Sequence, residues 1–198
     1  MDKQRCSWVS EEEIYLKYHD EEWGPPPTKG HVIPIHDENY LFEMLCLEGA
    51  QAGLSWITIL KRRENYREAF DYFNPRKVAY YNEEKVEELL KNKGIIRNKL
   101  KIRSVIKNAK AFLQVQEEFG SFQNYMWQFT DGKQIVNDWK SHAEVPASTK
   151  ESEAMSKDLK KRGFSFVGPV ICYSFMQAVG MVNDHMQDCF LYAGKVEE

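Results

Sequence analysis

Apolar residues recur at spacings of three and four along nearly all of the chain, and no stretch alternates polar and apolar residues between hairpin turns. That period gives each helix one stripe to bury, so an all-α fold is expected. Ser10-Glu11-Glu12-Glu13 reads as a capping box opening a short helix through Ile14, Tyr15 and Tyr18, which ends near Trp23-Gly24. Pro25-Pro26-Pro27-Thr28-Lys29-Gly30 cannot be helical and reads as a surface loop. Asp37 then caps a helix to about Gln51. Ala52-Gly53-Leu54 breaks it, and Ser55 is expected to cap a long amphipathic helix through Trp56, Ile59, Leu60, Tyr66, Phe70 and Phe73 toward Pro75. Helices follow at about 75–81, 83–91, up to Glu118, 121–130, 152–162, 168–181 and 183–189, with a loop over 131–150.

With 198 residues, 42% hydrophobic and 29% charged, the chain can bury one core and cover it, which excludes disordered and fibrous classes. The expected organisation is a single domain: a helical body over about 37–150 and a lobe, from about 1–36 and 151–198, where the two ends meet. No apolar run approaches the ~18 residues of a membrane span, and Met1 to Trp8 is not an apolar secretory stretch, so a cytoplasmic protein without membrane partners is expected. Its four cysteines are then reduced thiols. Cys46 and Cys172 sit in apolar strings and read as core.

The net charge of −3 conceals an uneven distribution. Residues 1–48 carry 11 acids against 4 bases, whereas residues 91–110 hold Lys91, Lys93, Arg97, Lys99, Lys101, Arg103, Lys107 and Lys110 with no acid. Within that basic stretch, Gly94-Ile95-Ile96-Arg97 separates two helices. A turn there can aim successive amides and a helix N-terminus outward, a device for holding phosphates. Basic residues beside it add contacts to a nucleic-acid backbone that do not read sequence. A solvated basic face on a helical pair is the alternative.

Two other groupings could carry chemistry. His185 and Cys189, at i and i+4 of an expected helix, would share one face, and Cys6 and His19 could complete a closed Cys2His2 zinc site of structural composition. Satisfied histidines and free thiols are the alternative. His31, His36 and His142 fall in expected loops without comparable partners. Glu48 lies in an otherwise apolar and small-residue segment, Leu47 to Trp56, where an ionised carboxylate needs a partner or a shifted pKa. Trp8, Tyr15, Tyr18, Trp23 and Trp56 offer flat surfaces for a planar base. Alternatively Glu48 faces solvent and the rings are core.

Cys6-Ser7-Trp8, the run Tyr18 to Gly24, the run Leu47 to Trp56, the run Lys161 to Gly168 and Val182-Asn183-Asp184-His185 together resemble the Tag-type 3-methyladenine DNA glycosylases. The likeness runs through nearly the whole chain. It implies a helix-hairpin-helix glycosylase fold with one structural zinc tying the terminal segments, held by Cys6, His19, His185 and Cys189. It further implies hydrolytic excision of N3-methyladenine from alkylated double-stranded DNA after base flipping, leaving an abasic site and free 3-methyladenine. The base-contacting acid falls on Glu48 and the pocket rings on Trp8, Tyr15, Tyr18, Trp23 and Trp56. The DNA-gripping hairpin falls on Gly94, Ile95, Ile96, Arg97 and Lys99, and Lys161 and Arg162 are expected at the DNA backbone. The segment from Pro25 to Asp37 is longer than the usual connection. The family lacks the aspartate that many relatives use to assist water, and none is placed here. A monomer is expected. A zinc-stabilised DNA-binding module without catalysis and a zinc hydrolase with Glu48 as base are the rivals, the latter disfavoured by a closed four-ligand site.

Overall fold

The computed structural model describes residues 3–24 and 37–194. The loop expected at Pro25 to Gly30, and His31 and His36, lie outside the described residues. Helices dominate. In chain order they are α1 (Glu13–Glu21), α2 (Glu38–Gln51), α3 (Trp56–Leu60), α4 (Arg63–Ala69), α5 (Pro75–Val78), α6 (Glu83–Lys91), α7 (Lys99–Phe119), α8 (Phe122–Trp127), α9 (Lys150–Lys161) and α10 (Pro169–Ala178). No helix among the described residues is long and apolar enough to cross a membrane.

The centre is α2. Every residue from Leu41 to Ala50 is buried, as expected of a helix surrounded by others, here α3, α7, α8 and α10. Asp37 starts it by accepting from the amides of Asn39 and Tyr40. Its far end is held from outside: Lys101 on α7 donates to the carbonyls of Ala50 (2.9 Å) and Ala52 (2.6 Å), satisfying acceptors that the helix cannot fill itself. One buried cluster runs from Cys6 through α2, α7 and α10 to Cys189.

Four expectations differ from the structure. The helix expected over 55–75 is broken into α3, α4 and a 3-10 turn at Asp71–Phe73, where three successive residues have φ near +50°. That left-handed turn lets Phe70 and Phe73 both reach the core, and Asp71 accepts from Tyr81 (2.6 Å) and Lys77 (3.2 Å). Ser55 makes no capping bond and pairs with Thr58 instead. Ser10 is likewise no cap, since α1 begins after Glu12 without one. Finally, 183–189 is not a helix. Val182–Asn183 (β2) pairs in parallel with Ile135–Val136 (β1), so Asn183 and Gln187 bond across to the 131–150 segment and only a single turn, Cys189 to Met186, bonds along the chain.

Candidate functional site

The side chains of Trp8, Tyr15, Tyr18, Trp23, Glu48 and Trp56 line one cavity of about 220 Å³. Trp8 precedes α1, Tyr15 and Tyr18 project from α1, Trp23 follows it, Glu48 comes from the last turns of α2 and Trp56 opens α3. The rings meet in two groups: Trp8 lies 5.3 Å from Tyr15 and 4.8 Å from Trp23, and Tyr18 lies 5.4 Å from Trp56. Glu48 is 5% exposed and makes no hydrogen bond among the described residues. Burial pushes its carboxyl up to about 8. Burial also pushes the Tyr18 phenol well up, with Glu48 adding to the effect. The indole Nε1 of Trp56 is buried without a partner. The cavity therefore offers flat apolar faces around one unsatisfied acid, a combination suited to a planar ligand bearing positive charge or donors.

Sequence reasoning missed Gln51, His142, Val145, Ser174, Gln177, Asp184 and Met186 in the same lining. Asp184 is 1% exposed and accepts from Tyr173 (2.6 Å), Gln177 (2.7 Å), Asn137 (2.7 Å) and Trp139 (2.8 Å), so it braces the 131–150 segment against α10. A signal existed, because an acid flanked by Met181-Val182-Asn183 needs donors once buried.

Behind Trp23 lie the four expected metal-binding side chains. The ligand atoms of Cys6, His19, His185 and Cys189 are all within 4.8 Å of one another, and all four residues are buried. Cys6 Sγ to His185 Nδ1 is 3.6 Å, Cys189 Sγ to His185 Nδ1 is 3.6 Å and Cys189 Sγ to His19 Nε2 is 3.5 Å. Sulfur and nitrogen on a tetrahedral zinc stand about 3.5 Å apart, from bonds of ~2.3 and ~2.0 Å, so the set fits that ion. The outer contacts fit as well. His19 Nδ1 donates to Asp20 (2.8 Å), itself held by Arg5, and His185 Nε2 donates to the Trp23 carbonyl (3.2 Å), leaving one nitrogen of each ring for a cation. The amides of Met186 and Leu191 donate to the two sulfurs. The contact between the sulfurs pushes Cys6 up and Cys189 down, because one proton is shared; a divalent cation would deprotonate both. Without a helix at 183–189, these residues converge through the turn after β2. Trp23 packs on the ring of His185 at 4.8 Å, so the cluster supports the cavity wall.

The basic turn between α6 and α7 lies against α4. Arg62 donates to the carbonyls of Lys93 (3.0 Å) and Gly94 (3.3 Å), and the Ile96 amide donates to Tyr66 (3.1 Å). A Cβ on Gly94 would stand 2.8 Å from Asn65 Cγ, so the close approach itself requires glycine. Gly94→Ala is expected to destabilise the protein by about 1–3 kcal/mol by forcing this turn off α4, read by thermal denaturation. Not every amide points outward. Those of Gly94 and Ile96 are taken by Asn92 and Tyr66, whereas those of Ile95, Arg97 and Lys99 have no acceptor among the described residues.

The stretch that lacks acids in sequence acquires them in space. Lys99 pairs with Glu87 (2.7 Å) and Arg103 with Glu83 (2.6 Å), both from α6. Lys91, Lys93, Arg97 and Lys110 make no ion pair among the described residues. Arg162, expected at a nucleic-acid backbone, has its guanidinium held by Glu118 (2.6 Å) and Asp158 (2.6 Å) and stacked over Phe119. Lys161 beside it is exposed.

A model of the methyladenine glycosylase family matches residues 8–192. The chain belongs to this family. Members similar to it include DNA-3-methyladenine glycosylase 1 of Escherichia coli strain K12, 51% identical over 191 residues, which are 96% of this chain and 98% of that protein. A crystal structure of 3-methyladenine DNA glycosylase I (TAG) is 52% identical and superposes with a TM-score of 0.88 over 94% of this chain and 98% of its own. A variant of such an enzyme in complex with 3-methyladenine is 33% identical, with a TM-score of 0.87 over 95% and 97% of the two chains. The helical fold is thus shared along almost the full length of these relatives.

Proposed function

We propose that this chain is a monofunctional DNA glycosylase of the cytoplasm that removes N3-methyladenine from alkylated double-stranded DNA. The observation that carries the reading is the unpaired carboxyl of Glu48 at the end of a cavity walled by five aromatic rings. Relatives named for this activity, one of them described with the free base bound, support it.

Methylation at N3 leaves the base positively charged in DNA, so its glycosidic bond is already weak and the base needs no protonation to leave. The lesion is turned out of the duplex, helped by its poorer stacking, and enters the cavity. There the rings of Trp8, Tyr15, Tyr18, Trp23 and Trp56 enclose it, and a cation gains about 1–2 kcal/mol over such a ring that neutral adenine does not. Glu48 accepts from the amino edge. Water adds to the sugar C1′ as the C1′–N9 bond breaks, the bond's electron pair leaves with the base and neutralises it, and the water proton passes to solvent. The acidic cavity and the DNA phosphates stabilise the oxocarbenium-like state. No lysine attack or strand cleavage follows.

The α6–α7 pair acts as a helix-hairpin-helix grip, with the amides of Ile95, Arg97 and Lys99 on phosphate oxygens and Lys93, Arg97 and Lys161 adding charge. Gly94 lets the turn adopt its shape, and the buried Ile95 side chain seats it, with the Ile96 amide donating to Tyr66. A structural zinc on Cys6, His19, His185 and Cys189 ties the two terminal segments into the same domain and backs the Trp23 wall. The ion, when bound, supplies cross-linking charge and no open coordination position. The protein works as a monomer.

Incubation with methylated duplex DNA and chromatography of the supernatant tests the reading. Free 3-methyladenine with uncleaved strands is expected; duplex binding without released base would instead favour a non-catalytic binding module.

A further inference from the structure

Gln177, on the last turn of α10, lines the cavity, and the orientation of its side chain is not free. Its Nε2 donates to Asp184 Oδ2 at 2.7 Å. A carboxylate can only accept here, so the amide cannot be reversed, and the oxygen of Gln177 necessarily points away from Asp184. Asp184 is itself immobile. Tyr173, Asn137 and Trp139 supply its other three donors, and it is 1% exposed, so it has no acceptor capacity left for a ligand. Gln177 Oε1, by contrast, accepts no hydrogen bond among the described residues.

We propose that Gln177 is a specificity-determining residue of the base cavity: locked by Asp184, it presents a fixed carbonyl acceptor that favours a base carrying an amino group and disfavours one carrying an oxo group at the same edge. An amide free to rotate would serve either base, whereas a locked one leaves the wrong base with two opposed acceptors. Asp184 is the positioning residue, acting through Gln177 and never touching the base. The inference rests on the cavity being the binding place of the excised base and names a second group, besides Glu48, that reads it.

The test compares free 3-methyladenine with 3-methylhypoxanthine, which has an oxo group in place of the amino group, by quenching of cavity tryptophan emission. The wild-type chain is expected to prefer the amino base, and Gln177→Met, matched in length, to reduce that preference by about 3- to 10-fold, the worth of one hydrogen bond. Gln177→Leu serves as the second variant, and melting temperatures confirm that each is folded. An unchanged ratio, or equal weakening toward both bases as lost packing would give, overturns the assignment. Absence of base release from methylated DNA by the wild-type chain would instead remove the glycosylase reading, independently of the ratio.

Discussion

Single-turnover excision of 3-methyladenine by the Glu48→Gln protein is expected to be about 10- to 100-fold slower than by wild type at pH 8, since a hydrogen bond to a charged group contributes about 1.5–3 kcal/mol. The pH dependence separates this from a packing defect. In the free protein the carboxyl titrates near 8, so below that pH it is mostly neutral and a cationic nucleotide must expel its proton. Wild-type kcat/KM therefore climbs as pH rises to about 8 and then levels, whereas the glutamine variant shows no such limb. Stability moves in the opposite sense. The native state holds a proton that the unfolded chain, with its carboxyl near 4.5, has already released, so this group's contribution is fully present below 4.5 and is lost as pH rises through 8. Paired melting curves should converge at the acid end and separate by pH 8, with the variant the more stable. Variant and wild-type curves that run parallel across this window would remove Glu48 from the buried, unpaired state argued above.

Loss of the Cys2His2 cluster has the largest expected effect on the fold. Cys189→Ser, or prolonged treatment with a zinc chelator, is expected to lower the melting temperature by roughly 10 °C, on the order of 3–5 kcal/mol for a chain of this size. Residues 3–24 should then become the first site of proteolysis, because Cys6 and His19 lie in that arm. Affinity for the base should fall with it, since Trp23 rests on His185 and His19. One zinc per chain by atomic emission, and recovery on adding zinc back, complete the expectation. A metal-free preparation with unchanged melting would contradict it.

What the sequence made legible follows from how local each cause is. Asp37 and the apolar run after it are enough to define α2, and a carboxyl in that run is conspicuous, so Glu48 stands out without a structure. The terminal cluster was legible as a set of residue types, but the reasoning that paired His185 with Cys189 on a helix does not describe how they meet. The chain just before them pairs with β1 and they follow in a turn, and pairing across 47 residues leaves no periodic trace. The break in the 55–75 helix is similarly nonlocal: Asp71 is held in a left-handed turn by Tyr81, ten residues on. Charge was the least legible property. The acid-free run at 91–110 is answered by Glu83 and Glu87 from the preceding helix, and Arg162 is consumed by Glu118, 44 residues away. Asp184 and Gln177 pass for ordinary polar residues until the four donors around the carboxylate are seen together.

The central claim is that one aromatic cavity with a buried acid prefers the methylated base. Titrating free 3-methyladenine and, separately, unmethylated adenine into the purified protein while following tryptophan emission addresses it directly. Saturable quenching by 3-methyladenine, which is neutral once released and is held by its methyl group and amino edge, tighter than any response to adenine and weakened in the Glu48→Gln protein, is the predicted result. Equal responses to the two bases, or none to either, would contradict the account.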